Sequence, residues 1–282
     1  MLRIAHIVKP MIAPEGSEHA VAQPITFETM RRAKAAAKDV AVIEHWATCF
    51  PNEQPAVPPD FRSAAPLKRS VGDIASFRIR RPLPIFRDVL ERLYDASQAE
   101  YFIYTNVDIA LQPHFYTEVV KFIAQGYDAF TINRRTLPGH YSRVDQIPAM
   151  CAEPGTAHPG YDCFVFRRDA YESFVLGDVC LGCGHVDLPL VCSMIAAAKK
   201  FTDINDAHLT FHIGDSRAWW KWKYRDYIVH NDTQAKAALL EQLRRRGLSR
   251  ALRPHIRALL SVPLLKNSML VGEWKRLFGH TA

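Results

Sequence analysis

The chain has 282 residues, of which 48% are hydrophobic, and a formal net charge of +7. This size and apolar content are sufficient for a substantial core and exclude an intrinsically disordered chain. The short apolar run at the start is broken by Lys9 and Pro10, which disfavours a secretion signal, and no segment approaches the roughly 18 continuous apolar residues of a membrane span.

The charge is unevenly placed along the chain. Residues 217–282 contain 14 Lys and Arg against 4 Asp and Glu, a surplus of +10, which leaves −3 for residues 1–216. A basic segment of this kind either contacts an anionic partner or forms a solvated helical face. The six cysteines are scattered, and we expect free thiols in a reducing cytoplasm. Cys180, Cys183 and His185 have the spacing of half a zinc site, but no second pair follows at ligand spacing.

The first half of the chain alternates strands and helices. The pattern predicts, in chain order, a strand at 2–8, a helix at 24–38 with Pro24 in its first turn, a strand at 39–46, a Pro-rich loop at 51–82, a helix at 84–97, a strand in AEYFIYTNVDI (99–109), a helix at 112–125 and a strand at 127–133. Such βαβ alternation indicates a mainly parallel sheet with helices on both faces.

The second half is less regular. Its pattern predicts an irregular section at 134–160, a strand at 161–168, a short helix at 169–176, a longer helix at 185–200, a strand at 207–215 and a basic helical tail at 232–260 that breaks near Gly247. We therefore expect an α/β domain at residues 1–230, with a mainly parallel sheet flanked by helices, and a helical C-terminal appendage at 231–282.

The stretch YTNVDI places an amide and a carboxylate where a buried strand ends. Ligands of open parallel sheets bind beyond the carboxyl ends of the strands, and strand alternation would give Asn106 and Asp108 the same face. Their oxygens suit Mg²⁺ or Mn²⁺, whose shells are often completed by substrate phosphates. The alternative for both residues is ordinary turn or cap chemistry.

Several competing motifs are missing from the sequence. No Walker A loop, no G-x-G-x-x-G after the first strand and no G-x-S-x-G elbow is present. These absences argue against a P-loop kinase, a dinucleotide dehydrogenase and a serine hydrolase.

The order of elements, with Asn106-Val107-Asp108 ending a central strand, resembles the GT-A glycosyltransferases over roughly residues 2–215. In that family an Asp-x-Asp motif, or a relaxed version, coordinates a divalent metal and the diphosphate of a nucleotide sugar. The resemblance implies that Asp108 binds the metal, with Asn106, which carries no charge, as a weaker ligand.

Two later stretches extend the resemblance. GT-A enzymes often bring a late His to the metal, which points to His212 in AHLTFHIGD, with His208 second; both could equally bond to backbone. An acidic residue at the position of Asp187 binds the acceptor hydroxyl in this family and acts as general base in inverting members. The alternative for Asp187 is helix capping, and Asp162 is a rival for its role.

Basic residues near the expected donor site are candidates for phosphate contact. They are Lys9 after the first strand, Arg134 after the strand at 127–133, and Arg217 after His212. Trp219, Trp220 and Trp222 either stack on a sugar or pack the tail onto the domain.

The sequence thus predicts a cytoplasmic glycosyltransferase with Mn²⁺ or Mg²⁺, a nucleotide-sugar donor and a glycan or lipid-linked acceptor. The basic tail would allow peripheral contact with an anionic inner membrane surface, and nucleic acid is not the expected partner. Two alternatives stay open: a nucleotidyltransferase of similar sheet architecture, and a non-catalytic α/β protein that binds nucleic acid or membrane through its tail.

Overall fold

A seven-stranded sheet forms the centre of the protein in the computed structural model, which describes residues 1–158, 160–214 and 222–246. Its order is β10-β6-β9-β4-β1-β2-β3. The strands are β1 (Leu2–Val8), β2 (Ala41–Ala47), β3 (Arg62–Ser63), β4 (Tyr101–Thr105), β6 (Ala129–Ile132), β9 (Cys163–Arg167) and β10 (Phe201–Ile204). Neighbouring strands are parallel except at β9, which runs antiparallel to both β4 and β6.

Helices cover both faces of this sheet. They are α1 (Glu18–Ala36), α2 (Phe86–Ala96), α3 (Phe115–Ala124) and α5 (Leu188–Ala197). Alternate strand residues feed two cores: Phe102 and Tyr104 pack with α2 and α5, whereas Ile103 packs with α1 and α3. The expected Rossmann-like α/β architecture, a mainly parallel sheet flanked by helices, is confirmed.

A second, four-stranded sheet has the order β5-β11-β7-β8. Its strands are β5 (Ala110–Leu111), β7 (Arg134–Leu137), β8 (Thr156–Ala157) and β11 (Thr210–Ile213). The prediction of an irregular section at 134–160 was therefore wrong in part, because β7, β8 and the short helix α4 (Ile147–Ala152) lie within it. These elements are too short to give a periodic pattern. β7 is held by pairing with β11, β8 by pairing with β7, and α4 by burial of Ile147 and Met150.

Helix α1 begins earlier than predicted. Ser17 caps it by accepting a hydrogen bond from the Ala20 amide at 3.3 Å, so Pro24 lies inside the helix rather than in its first turn. Proline there removes one internal hydrogen bond and disfavours the preceding turn. The helix nevertheless persists, because Ile25, Met30 and Ala33 are buried on its inner face.

The last described helix, α6 (Arg225–Arg246), packs against α5. The proposed domain boundary at residue 230 falls inside this helix, next to Asn231, which is fully buried and accepts a hydrogen bond from the Cys180 amide at 2.8 Å. The break predicted near Gly247 lies outside the described residues. Among the described residues, no helix is long and apolar enough to cross a membrane.

A buried polar network ties the main sheet to α3. The Tyr116 hydroxyl lies 2.8 Å from Nδ1 of His6 and 3.1 Å from Nε2 of His45, and Nε2 of His6 lies 2.9 Å from the Thr105 hydroxyl. Burial lowers the pKa of both imidazoles, to about 3 for His45, so both rings are neutral and exchange hydrogen bonds with hydroxyls.

Removing the Tyr116 hydroxyl should therefore destabilise the protein. We expect Tyr116→Phe to cost about 1–3 kcal/mol in chemical denaturation, because two buried imidazole nitrogens lose a partner. Tyr101→Phe is the matched control, since its hydroxyl makes only a 3.4 Å contact to the Tyr127 carbonyl. Equal losses in the two variants would contradict a special role for the network.

Candidate functional site

Asn106 and Asp108 lie in a tight turn rather than on the strand itself. Strand β4 ends at Thr105, and the Ile109 amide donates to the Asn106 carbonyl at 3.1 Å. The expectation that strand alternation places their side chains on one face was therefore wrong. The turn instead leads directly into β5, so that Asp108 meets the second sheet.

Asp108 contacts two histidines from distant parts of the chain. Its Oδ2 lies 3.3 Å from Nε2 of His212 in β11 and 3.6 Å from Nε2 of His19 in the first turn of α1. Its Oδ1 is buried and has no hydrogen-bond partner among the described residues. A buried carboxylate oxygen without a partner is uncommon and points to a ligand.

The ring orientation of His212 follows from its second contact. Nδ1 lies 2.7 Å from the Gly214 carbonyl, which can only accept, so Nδ1 carries a proton. In a neutral ring, Nε2 would then direct its lone pair at the Asp108 carboxylate. Either a proton or a cation must lie between these two acceptors, and a histidine held by a backbone carbonyl in this way is typical of metal ligands.

The charges of this pair are mutually stabilised. Burial raises the pKa of Asp108, but the hydrogen bond from His212 and the charges of His212, His19 and Arg134 outweigh it, and the pKa falls to about 2. Burial lowers the pKa of His212, and contact with Asp108 more than compensates, so it lies above the ordinary value. A metal ion would displace the proton of His212.

The described residues supply an incomplete ligand set for such an ion. Within the described residues, no group of three or more His, Cys, Asp and Glu side chains is arranged to hold a metal. Asp108 and His212 have the right donor chemistry, with a free carboxylate oxygen and an imidazole held by its other nitrogen. Substrate phosphates commonly complete the ligand sets of Mg²⁺ and Mn²⁺.

The side chain of Asn106 is already engaged. Its Oδ1 accepts a hydrogen bond from the buried Tyr104 hydroxyl at 2.7 Å. Burial and the charge of Asp108 raise the pKa of Tyr104, so this phenol keeps its proton and needs an acceptor. A direct metal contact by Asn106 would compete with that bond.

Arg134 and Asp162 form an ion pair at the same edge of the sheet. Nη1 of Arg134 lies 2.8 Å from Oδ1 of Asp162, and both side chains are largely buried. Because β9 is antiparallel, its first residues lie at the edge where β4 and β6 end, and this places Asp162 beside Arg134. Oδ2 of Asp162 is a second buried carboxylate oxygen without a hydrogen-bond partner.

Asp187 stands at the N-terminus of α5 but does not cap it through a side-chain hydrogen bond. Burial and the nearby charge of Asp162 raise the pKa of Asp187 to about 6, against the opposing effect of neighbouring backbone N–H groups that include those of Leu188 and Tyr161. A carboxyl group with this pKa can accept a proton near neutral pH.

The remaining sequence candidates lie elsewhere or make other contacts. Lys9 forms an ion pair with Glu53 at 2.6 Å. His208 precedes β11 in a left-handed conformation (φ 50°), so the strand predicted at 207–215 is shorter and His208 does not share a strand face with His212. Arg217 lies outside the described residues, as do Trp219 and Trp220.

His19 was not among the sequence candidates. A lone histidine in the first turn of a helix carries no motif, and only packing of α1 against β5 and β11 brings it to Asp108. The sequence feature that could have identified His19 is the Ser17 helix cap at the end of the first βα loop, because the N-terminus of a helix after such a loop commonly faces a ligand.

Comparisons with known proteins gave structural similarities alone. No protein-family model and no curated protein matches the chain. Staphylococcus aureus TarS, residues 1–349 with UDP-GlcNAc, is similar over 90% of this chain and 78% of its own, with 8% identity and a TM-score of 0.45. A mycobacterial protein is similar over 83% of this chain and 75% of its own, with 12% identity and a TM-score of 0.45.

A third similar structure comes from Desulfovibrio desulfuricans G20 and is provisionally assigned as a nucleotide-diphospho-sugar transferase. It covers 84% of this chain and 99% of its own length, with 13% identity and a TM-score of 0.37. All three similarities have TM-scores below 0.5.

The raised pKa of Asp187 makes a testable prediction about stability. A carboxyl group with a pKa of about 6 when folded and near 3.8 when unfolded destabilises the protein increasingly as the pH rises through that window. We expect Asp187→Asn to be more stable than the wild type by about 1–2 kcal/mol at pH 8, with a smaller difference as the pH falls from 6 towards 4.

Urea denaturation across this pH range measures the effect. Asp145→Asn is the control, because Arg143 lowers the pKa of that exposed carboxyl group and its removal should give no stabilisation. If the difference in free energy of unfolding between Asp187→Asn and the wild type did not change with pH, ionisation of Asp187 would not destabilise the folded protein, and the prediction would be wrong.

Proposed function

We propose that this protein is a metal-assisted glycosyltransferase that uses a nucleotide-diphosphate sugar as donor and transfers the sugar to a glycan or lipid-linked acceptor. One observation carries the proposal: the Asp108–His212 pair, the Arg134–Asp162 pair and the proton-accepting Asp187 converge beyond the carboxyl ends of the central strands. That edge is where sheets of this type bind ligands.

The donor half of the site would be built around Asp108. Asp108 and His212 would hold Mn²⁺ or Mg²⁺, which supplies positive charge to the leaving diphosphate. The charge of Arg134 contributes to lowering the pKa of Asp108 and opposes the rise in the pKa of His212, so its guanidinium would bind the same diphosphate. A fixed positive charge there stabilises the charge that develops as the glycosidic bond breaks.

The acceptor half would be built around Asp187. As the acceptor oxygen forms its bond to the anomeric carbon, Asp187 takes the hydroxyl proton and the nucleoside diphosphate leaves with the bonding electrons. Asp162 is the poorer base, because one oxygen already accepts from Arg134. Its charge instead favours the protonated form of Asp187 that this step produces.

The alternatives have less support. A nucleotidyltransferase would need basic residues in the loop after β1, where Lys9 is instead paired with Glu53. A non-catalytic protein gives no reason for two buried carboxylate oxygens without partners at one sheet edge.

Metal-dependent nucleotide binding tests the donor half. We expect UDP, GDP or CDP to raise the melting temperature only with Mn²⁺ or Mg²⁺ present, because the diphosphate completes the ion's ligand set. Asp108→Ala and His212→Ala should abolish the metal-dependent part of the shift. His208→Ala is the matched control and should keep it. No response to any of these nucleotides would contradict the proposal.

Donor hydrolysis tests the acceptor half without knowledge of the acceptor. Once a nucleotide sugar that binds is known, Asp187→Asn should lower the rate of its slow hydrolysis by about 10²–10⁴, because water also loses its base. Metal-dependent nucleotide binding should persist in this variant. The wild-type rate should fall below a pH of about 6, where Asp187 becomes protonated.

Asp162→Asn is the comparison for this assay. It should keep a larger part of the rate, since Asp162 acts on Asp187 through its charge. If Asp162→Asn lost more of the hydrolysis rate than Asp187→Asn, Asp162 would be the general base and Asp187 the supporting charge.

A further inference from the structure

Four large apolar side chains are exposed in two segments that are distant in sequence. Trp222 is 68% exposed, Val229 54%, Ile79 42% and Ile74 40%. Trp222 and Val229 are seven residues apart along the start of α6 and its preceding turn, which gives them the same helical face. Ile74 and Ile79 belong to the Pro-rich section before α2.

The two segments are in direct contact and form one surface. Phe77 stacks on Tyr227 with ring centroids 3.9 Å apart, and the Tyr227 hydroxyl donates to the Ile79 carbonyl at 2.8 Å. The amides of Arg78 and Arg81 donate to Asp226 and to the Tyr227 hydroxyl. We call residues 74–81 together with 222–229 the loop–helix surface.

This surface is strongly basic. It contains five basic residues and one acidic residue, Asp226; the basic ones are Arg78, Arg80, Arg81, Lys223 and Arg225. The guanidinium of Arg225 lies 4.6 Å from the Trp222 ring, and that of Arg81 lies 5.4 Å from Tyr224. The surface therefore combines exposed aliphatic side chains with guanidinium groups that pack over aromatic rings.

We propose that the loop–helix surface docks on an anionic lipid bilayer. Lys and Arg are attracted to anionic headgroups, and tryptophan and aliphatic side chains enter the boundary between headgroups and acyl chains. A nucleic acid would match the arginines and Trp222 but leaves the exposed Ile74, Ile79 and Val229 unexplained. The combination of charge and aliphatic exposure therefore favours the bilayer.

The docked orientation would matter for the acceptor. Tyr227 shares a buried cluster with Val71, Cys180 and Cys183, and Asn231 donates hydrogen bonds to the carbonyls of Cys180 and Gly184. Asp187 follows this loop three residues after Gly184. These contacts connect the loop–helix surface to the segment that carries Asp187. If the proposed function holds, the acceptor is therefore presented at the bilayer, as a lipid-linked sugar would be.

Vesicle flotation of the full-length protein tests the docking without nucleotide or metal. The vesicles are pure phosphatidylcholine, or phosphatidylcholine with about 30% phosphatidylglycerol, at about 0.1 M salt, where the Debye length is about 10 Å. We expect binding to the anionic vesicles alone. Arg78→Glu combined with Arg80→Glu should weaken it at least tenfold, and Ile79→Ser with Trp222→Ser should also weaken it.

The control is Arg143→Glu with Val144→Ser, which makes the same kinds of change at exposed positions before α4 and should bind like the wild type. Melting temperatures check that every variant is folded. Wild-type levels of binding in both loop–helix variants would overturn the proposal, because another segment would then hold the membrane. Failure of the wild type to bind the anionic vesicles would also overturn the proposal. In a parallel assay with single-stranded RNA, loop–helix variants that lose RNA binding but keep vesicle binding would overturn it as well. The nucleotide assays above are independent of this result.

Discussion

The reversed direction of β9 is the constraint on which the rest of the site depends. Because β9 runs antiparallel between β4 and β6, the residue before it lies at the edge where its neighbours end. Asp162 thereby forms an ion pair with Arg134, which follows β6. Its charge also raises the pKa of Asp187 at the start of α5. A parallel strand at this position would have placed the same carboxylate at the opposite edge, far from the turn that carries Asp108.

The carboxylates at this edge of the sheet have different neighbours, and their pKa values differ as a result. Asp108 faces two imidazoles and lies near a guanidinium, and its pKa falls to about 2. Asp187 faces another carboxylate in a desolvated position, and its pKa rises to about 6. Chemically identical groups thus become a permanent anion and a proton acceptor, the division of roles that cation binding and base catalysis require. Arg134 pairs with Asp162, and its charge also helps to lower the pKa of Asp108.

The loop–helix surface and the acceptor side share one structural support. The buried cluster of Val71, Cys180, Cys183 and Tyr227 lies beneath the exposed cations and also holds the loop that leads to Asp187. Both cysteines are buried, and burial raises the pKa values of their thiols, to about 12 for Cys183, so that they pack as protonated, unreactive thiols. Membrane contact and acceptor binding would therefore be mechanically linked through α6.

The sequence by itself determined the class of fold and placed Asp108 just beyond the end of a buried strand. Periodicity and apolar runs are local properties, so β1, β4 and the helices on both faces could be predicted, and with them the position of Asp108. The tertiary structure alone decided strand direction, the second sheet and the partners of each side chain. Short strands such as β7 and β8 gain stability only from neighbours distant in sequence, and His19 reaches Asp108 only because α1 packs on that sheet. The hydrogen bond from the Tyr104 hydroxyl to Asn106 likewise depends on the folded structure, since the order of residues does not show which side chains will meet.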